Sequence, residues 1–402
     1  MWSAVHRFGW VCILLLGATL ILSAGLSAQD ATTTRLQVAA QALTAGNLDL
    51  AENELQSVLG SFPEDYRALD LLGVLRVLEH RDTEAEGFFR RAIQNDPKFA
   101  SAHAHLGLLF FQTARTQQAV PELREALRLD SSRSDAATAL VRIWSDQAQA
   151  AVTAGDSETA FALLTDARNV APNNSDVQFA LGTLALRMSR FQDAIDAFQE
   201  TLRLRKTDPP ALYGLGQTFM AILRYEKARQ EFTRYLAQRP NDSAALCSLG
   251  MTLSALERPA EARTQFEKSI AITPDQTESY FRLGLLDLDA KNLESAAKNF
   301  RHVLDRDPKH SGALVSLGRV EFEQKYYAEA ADLLQRALTN DDSLREAHYY
   351  LGLTYARMGR KPESDQELQR ASLLDQQQAE KQSATFGLSS KPQPTGAKPN
   401  SQ

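Results

Sequence analysis

The sequence is poorest in cysteine, with only Cys12 and Cys247 among 402 residues. Cys12 lies inside an apolar N-terminal run, so a chain that lost that run would keep one thiol and no internal disulfide, and its stability must come from packing. Cys12 also follows Phe8-Gly9-Trp10-Val11 and not the small residues of a lipoprotein acceptor, which argues against lipid attachment there. Charge of one sign is in short supply too. Against 44 Lys and Arg stand 50 Asp and Glu, for a formal net charge of -6, and loss of residues 1–28, in which Arg7 is the one charged residue, would leave -7. That balance disfavours phosphate-rich partners, and no nucleic acid is expected.

Groups that could converge on a reaction are equally sparse. The seven histidines are scattered, with no nucleophile, paired carboxylates or cysteine cluster in the sequence around them. His103 and His105 are two residues apart on a helix, so they point to different sides and cannot share a metal as an i, i+4 pair could. Cys247 beside Ala245-Leu246 reads as a small, partly buried thiol. No glycine-rich phosphate loop is present. The expectation is therefore no enzyme activity, no catalytic residue, no cofactor, no metal and no small-molecule substrate.

Long hydrophobic runs are limited to one, Phe8 through Gln29, which carries no charge, follows His6 and Arg7, and ends in Ser23-Ala24-Gly25-Leu26-Ser27-Ala28. Residues 1–28 read as a signal peptide with Ala28 before the cleavage point. If uncleaved, the run of ~20 apolar residues is long enough to span a bilayer as a signal anchor. The rest of the chain, at 44% hydrophobic and 23% charged overall, has ample material for a folded core.

What the chain does have is a repeat. Units begin at Thr32, Tyr66 and Ala100, then at Val141, Ser175, Pro209, Ser243, Thr277, Ser311 and Arg345, spaced by 34 residues except for one offset of 41. The eighth position of each unit is glycine, from Gly73 to Gly352, with Ala39 and Ala148 as exceptions. The twentieth is alanine, from Ala51 to Ala330, broken only by Ser364. A large apolar residue follows that alanine by four, as at Phe89, Phe198, Phe232, Phe266 and Phe300, and prolines such as Pro63, Pro97, Pro172 and Pro308 close the units. Small residues let two helices approach, large ones fill the gap beside them, and proline stops the second helix, so each unit is a helical hairpin. Neither helix, at ~12 to 14 residues, would be stable alone, so neighbouring units must bury one another's faces.

Over roughly residues 32–378 this pattern resembles the tetratricopeptide repeat. The resemblance implies an all-α, right-handed superhelical α-solenoid of stacked helical hairpins with a concave inner surface. It also implies a protein-binding scaffold. The organisation expected is a first block of three units (32–133), an insertion at 134–140, seven units with a C-terminal cap (141–378), and a disordered tail (383–402). The insertion of seven residues, nearly two turns, rotates an apolar face by only ~20°. It should extend one helix from about Asp135 to Thr153.

By the same resemblance, positions 2, 5, 9, 12 and 13 of each first helix line the concave face. Positions 5, 9 and 12 give Phe179 and Leu186, Tyr213 and Met220, Cys247 and Met251, Phe281, Leu285 and Leu288, then Phe322, Tyr349 and Leu353. Arg319 is the one basic residue at position 5 or 9, so a clamp for a C-terminal carboxylate is not expected. An apolar groove with methionine and aromatic residues suits an amphipathic helix or hydrophobic segment. Tight coiling would instead make the same side chains core, and the sequence leaves both open. The functional expectation is a protein or peptide-binding adaptor in the bacterial envelope, periplasmic or anchored in the inner membrane with its repeats outside the cytoplasm. A chaperone-like factor shielding exported clients is the alternative, and a regulatory subunit of an enzyme complex a third.

Overall fold

The computed structural model describes residues 28–385; the apolar run before Ala28 and residues 386–402 lie outside the described residues. Every regular element in that span is a helix, and the helices alternate as ten hairpins. The first five are α1 (Ala28–Thr44) with α2 (Leu48–Ser61), α3 (Tyr66–Leu78) with α4 (Asp82–Asn95), α5 (Ala100–Gln112) with α6 (Thr116–Leu129), α7 (Ser134–Thr153) with α8 (Ser157–Val170), and α9 (Ser175–Arg187) with α10 (Phe191–Leu204). The second five are α11 (Pro209–Ala221) with α12 (Tyr225–Gln238), α13 (Ser243–Ala255) with α14 (Pro259–Ile272), α15 (Thr277–Asp289) with α16 (Leu293–Arg306), α17 (Ser311–Glu323) with α18 (Tyr327–Asn340), and α19 (Arg345–Arg357) with α20 (Lys361–Thr385). The chain forms two compact units, one ending at Ala211 and one beginning at Leu212. The division falls within α11 and not at the insertion. Inside each unit, consecutive hairpins stack through the second helix of one and the first helix of the next.

The repeated glycine explains how the two helices of a hairpin approach. A Cβ placed on Gly73, Gly182, Gly216, Gly250 or Gly284 would lie 2.5–2.8 Å from the ring of Phe89, Phe198, Phe232, Phe266 or Phe300, respectively. On Gly107, Gly318 and Gly352 it would lie 2.7 Å from Leu123, Leu334 and Leu368. No real side chain tolerates that distance, so the aromatic or leucine occupies the space that a methyl would need. The two hairpins with Ala39 or Ala148 at this place carry Leu55 and Leu164 opposite, not phenylalanine. The repeated alanines of the second helices, such as Ala51, Ala160, Ala228 and Ala330, are fully buried, as small residues are where one helix crosses another closely.

The turns between paired helices share a second constraint. Their fifteenth-position residue is left-handed in every hairpin: glycine at Gly46, Gly155 and Gly359, and a side-chain-bearing residue at His80, Ala114, Ser189, Leu223, Glu257, Lys291 and Lys325, with φ from 57° to 69°. At Leu223 the amide bonds the Met220 carbonyl (3.0 Å) and the Arg224 amide bonds the Phe219 carbonyl (2.8 Å), which ends the first helix with its last carbonyls satisfied. Many first helices begin with a side-chain cap: Asp65, Asn174 and Asp242 accept from backbone amides two or three residues on.

The insertion lengthens α7 to 20 residues, against 13 in α9. Its extra turns pack on α5, with Asp135, Ala136, Ala139 and Leu140 buried. Arg133 holds the buried Asp135 at 2.6 Å and Ser101 on α5 at 2.9 Å. Burial alone would push the Asp135 carboxyl upward, but the hydrogen bond and positive charge of Arg133 outweigh it and hold the carboxyl below its ordinary range. Ala104 and Leu108, on the α5 face at positions 5 and 9, are buried as well. At the other end, α20 is 25 residues long, against 14 for α18, and remains helical through Ser383–Thr385, three residues into the segment assigned to the tail. Among the described residues no helix is long and apolar enough to cross a membrane.

Two substitutions probe these constraints. Gly250→Ala places a methyl 2.5 Å from Phe266 Cε1 and is expected to lower unfolding stability by about 2 kcal/mol. Adding Phe266→Leu should recover part of that loss in a denaturant melt, because it reproduces the Ala148–Leu164 pairing. Leu223→Gly relieves the left-handed strain at φ 59°. It should raise stability by about 0.5–1 kcal/mol, the gain being reduced by glycine's greater freedom in the unfolded chain.

Candidate partner-binding face

In the first compact unit, Phe179 is half-buried on α9, its ring 5.9 Å from that of Phe198 on α10. Its free edge lines an open cleft of about 670 Å3 between α7 and α9, together with Val141, Val152, Ala180 and Thr183. Leu186, also half-buried, does not line it.

The remaining sequence-derived residues belong to the second compact unit. Tyr213 is half-buried, its ring 5.6 Å from Phe232 and 5.3 Å from Tyr235, with its hydroxyl 3.3 Å from Ser248 Oγ on α13. Tyr235 donates to Asp242 at 2.6 Å; burial first, then that bond and the Asp242 charge, push its phenol up to about 12. Met220, Met251 and Leu285 are half-buried with no polar role. Phe281 packs against Phe300 (5.9 Å) and His310 (4.9 Å), and a Cβ on Gly312 would meet its Cζ at 2.9 Å, so the ring also fits against the first turn of α17. Arg319 is tied to Glu323 at 3.4 Å and Glu346 at 4.0 Å and lies 5.6 Å over Tyr350. Phe322 packs on Tyr327 and Tyr350, and Tyr349, 39% exposed, meets Tyr350 edge-on at 5.3 Å. Leu353 is half-buried, whereas Cys247 and Leu288 are core, and burial pushes the Cys247 thiol up.

The aromatics at the fifth position therefore combine both readings left open by the sequence. Phe179, Tyr213 and Phe281 each pack one side on the second helix of the same hairpin, Tyr213 and Phe281 meet the next first helix as well, and Tyr349 is the most exposed of the four.

A set of polar contacts between helices was not legible in the sequence. At the fourth position, His103 Nδ1 meets Glu122 at 2.7 Å while Nε2 meets the Pro97 carbonyl at 3.1 Å. His348 repeats this with Glu367 at 2.5 Å and the Asp342 carbonyl at 3.0 Å, and Gln178 donates to the Pro172 carbonyl at 2.9 Å. His103 faces an oxygen acceptor at both nitrogens. The bond to Glu122 accordingly raises its pKa against the opposing effect of burial. At the eleventh position, buried Asp287 receives Arg263 (2.7 Å) and Asn299 (2.9 Å), and buried Glu321 receives Arg301 (2.5 Å). Arg76 occupies this position with the charge reversed and donates to Glu52 and Glu79. His105, which looked solitary in the sequence, bonds buried Asp70 at 2.8 Å. Several of the partners lie far apart in the chain, 19 residues for His103 with Glu122 and 35 for His105 with Asp70, and no recurring residue type marks them. Among the described residues no group of His, Cys, Asp or Glu is placed to hold a metal ion.

Profiles of the tetratricopeptide repeat match residues 39–100, 145–209 and 281–344, and further profiles of the same repeat match 100–133, 185–249 and 243–273. The chain belongs to the tetratricopeptide-repeat family. The stretch of this repeat protein that aligns with Protein O-mannosyl-transferase TMTC3 of Homo sapiens is 78 residues long and 37% identical, and makes up 19% of this chain but 8% of the human protein. A solved tetratricopeptide repeat protein from Parabacteroides merdae is 16% identical with a TM-score of 0.50, covering 58% of this chain and 93% of its own. That likeness concerns the fold alone. Proteins of this repeat family generally bind protein or peptide partners without catalysing a reaction.

The His103 contact makes the stability of the repeat protein pH-dependent. Because the folded pKa lies above the unfolded value of about 6.5, the contribution is complete below pH 6.5 and is lost as pH rises through the folded pKa. His103→Gln, which keeps a donor for the Pro97 carbonyl as Gln178 does for Pro172, should cost about 1 kcal/mol at pH 5.5 and progressively less toward pH 8 in paired thermal melts. A pH-independent difference would remove the charged form from the account.

Proposed function

We propose that this repeat protein is a non-catalytic scaffold, exported to the envelope of a bacterial cell, that holds partner proteins by their apolar or amphipathic segments. One observation carries the binding half of the reading: on α11 and α13, positions 5, 9, 12 and 13 run from Tyr213 through Gln217, Met220 and Ala221 to Met251, Ser254 and Ala255 without a single charge. Half-buried methionines and an anchored tyrosine give that strip polarisable, adaptable side chains, which suit burial of an apolar face rather than recognition of a charged terminus. Arg319 is already engaged by two glutamates, which further disfavours a carboxylate clamp. The export half rests on the uncharged run from Phe8 to Gln29, acting as a cleaved signal that leaves the repeats periplasmic or as an inner-membrane anchor through residues 8–28.

Crosslinking in intact envelopes tests the binding half, comparing the full chain with a Met220→Glu, Met251→Glu, Tyr349→Glu variant whose helicity and melting temperature are checked first. These positions are chosen because Tyr213 and Phe281 also pack within the fold. Loss of at least ten-fold of the crosslinked partners from a folded variant is expected, and retention of the same partners would overturn the strip as the binding face. Partners captured unfolded in preference to folded would shift the reading to a chaperone-like factor. Protease digestion of spheroplasts tests export: the repeats should be degraded, and protection would place them on the cytoplasmic side.

A further inference from the structure

Among the described residues the two most exposed large apolar side chains, Leu223 (69%) and Tyr326 (56%), both lie on turns within hairpins. Tyr326 has company. The first helices α17 and α19 run side by side in contact, so the turns that follow them, 324–326 and 358–360, are neighbours on one edge of the second compact unit. The second of these turns carries Met358, 40% exposed. Around the two apolar side chains stand Lys325, Arg357 and Lys361, all exposed and without an ion-pair partner among the described residues, whereas Arg360 is bound to Glu363 at 3.1 Å. Glu323 is held by Lys291 at 2.9 Å, which leaves Glu329 as the one acidic residue beside these turns with no such partner. Leu223 sits three hairpins earlier, and the turns between carry the exposed acids Glu257, Asp289 and Glu294.

We propose that the turns of the last two hairpins rest on an anionic lipid surface, with Tyr326 and Met358 entering the headgroup layer and Lys325, Arg357 and Lys361 pairing with lipid phosphates. A phenol ring and a flexible thioether flanked by cations suit a membrane interface, where an apolar body is buried and a polar tip stays wet. Single side chains on protruding turns offer a folded protein too little area, but a bilayer accepts isolated tips. Charge gives the orientation: the chain carries a net -6 and is repelled by an anionic surface as a whole, while at this edge unpaired cations outnumber unpaired acids. A contact this small is reversible, because lasting attachment takes a second signal. The apolar run through residues 8–28 would supply one, and the edge would then fix how the tethered repeats stand on the membrane. In that respect the inference rests on the envelope reading, but the surface is separate from the partner-binding strip of α11 and α13.

Nitroxide-lipid quenching of a fluorescent label tests it, using the full chain on phosphatidylcholine vesicles with or without phosphatidylglycerol. In a Cys12→Ser background, with Cys247 buried, an added cysteine takes the label: Ala328→Cys at the turn edge or Lys309→Cys in the loop between α16 and α17, at the opposite edge. With the anionic lipid, quenching at 328 should exceed that at 309 about five-fold at low salt and fall toward it as salt screens the cations. Tyr326→Ser with Met358→Ser, and separately Lys325→Glu with Lys361→Glu, should abolish the excess at an unchanged melting temperature, since all four side chains are exposed. Leu223→Gly, which removes an exposed side chain from beyond the acidic turns, should leave the excess in place. Equal quenching at 328 and 309, an excess that persists without phosphatidylglycerol, or one untouched by Tyr326→Ser with Met358→Ser overturns the proposal. So does a change in emission at 328 that grows with protein concentration in the absence of vesicles, which assigns the patch to a second copy of the chain. The same label on the native Cys12 reports separately whether the apolar run enters the bilayer. No quenching there removes the anchor and leaves the lipid contact standing, whereas quenching there without an excess at 328 does the reverse.

Discussion

The contact between the first-helix glycine and the second-helix phenylalanine or leucine sets the distance between paired helices, and the other features of each hairpin follow from that distance. With a Cβ at Gly250 the ring of Phe266 has nowhere to go, since Ala262 one turn earlier is itself fully buried. Close-packed interiors do not absorb a misplaced methyl by compressing; they shift a helix or force a side chain off its rotamer. The chain contains its own control. Where the eighth residue is Ala39 or Ala148 the opposing residue is Leu55 or Leu164 and not phenylalanine, while leucine also stands opposite glycine at Leu123, Leu334 and Leu368. A hairpin fixed in this way presents two rigid faces to its neighbours, and stacking can propagate because every hairpin offers nearly the same geometry.

That dependence explains how much was legible in the sequence. The constraint acts between residues sixteen apart in one hairpin and recurs every 34, so both the hairpin and its stacking could be read from Gly, Ala, Phe and Pro alone. Even the insertion was readable, because seven residues preserve the phase of an apolar helix, and α7 does run from Ser134 to Thr153. The polar contacts were hidden for the converse reason. Asp287 with Arg263, Glu321 with Arg301 and Arg76 with Glu52 all join an eleventh position to the preceding second helix, yet the sign of the charge changes from hairpin to hairpin and other hairpins place Ala42, Phe110 or Leu253 there. A periodic search finds what is the same at every period. These pairs differ each time, and only the packed structure reveals that they occupy one geometric slot.

The candidate site was legible to the same intermediate degree. The fifth-position aromatics could be placed on a first-helix face, but not how far each is consumed by packing. Tyr213 and Phe281 have neighbours on their own second helix and on the next first helix, whereas Tyr349 is more open, and Cys247 and Leu288 in the same series are wholly core.

Position 5 also shows why one face of a repeat protein need not be one surface. In the second hairpin it is Asp70, buried and bonded to His105 of the third. In the third it is Ala104, fully buried where α7 packs on α5. In the fifth it is Phe179 at the edge of a cleft. The same backbone slot thus passes from an internal polar bond, to a helix contact, to an accessible apolar wall within one compact unit. The change coincides with α7, whose extra turns bind it to the preceding helix and leave it apart from the following one. An insertion that keeps the repeat in phase thus coincides with a change in what the repeat exposes, since α7 packs on α5 while Thr138 and Val141 of the same helix line the cleft toward α9.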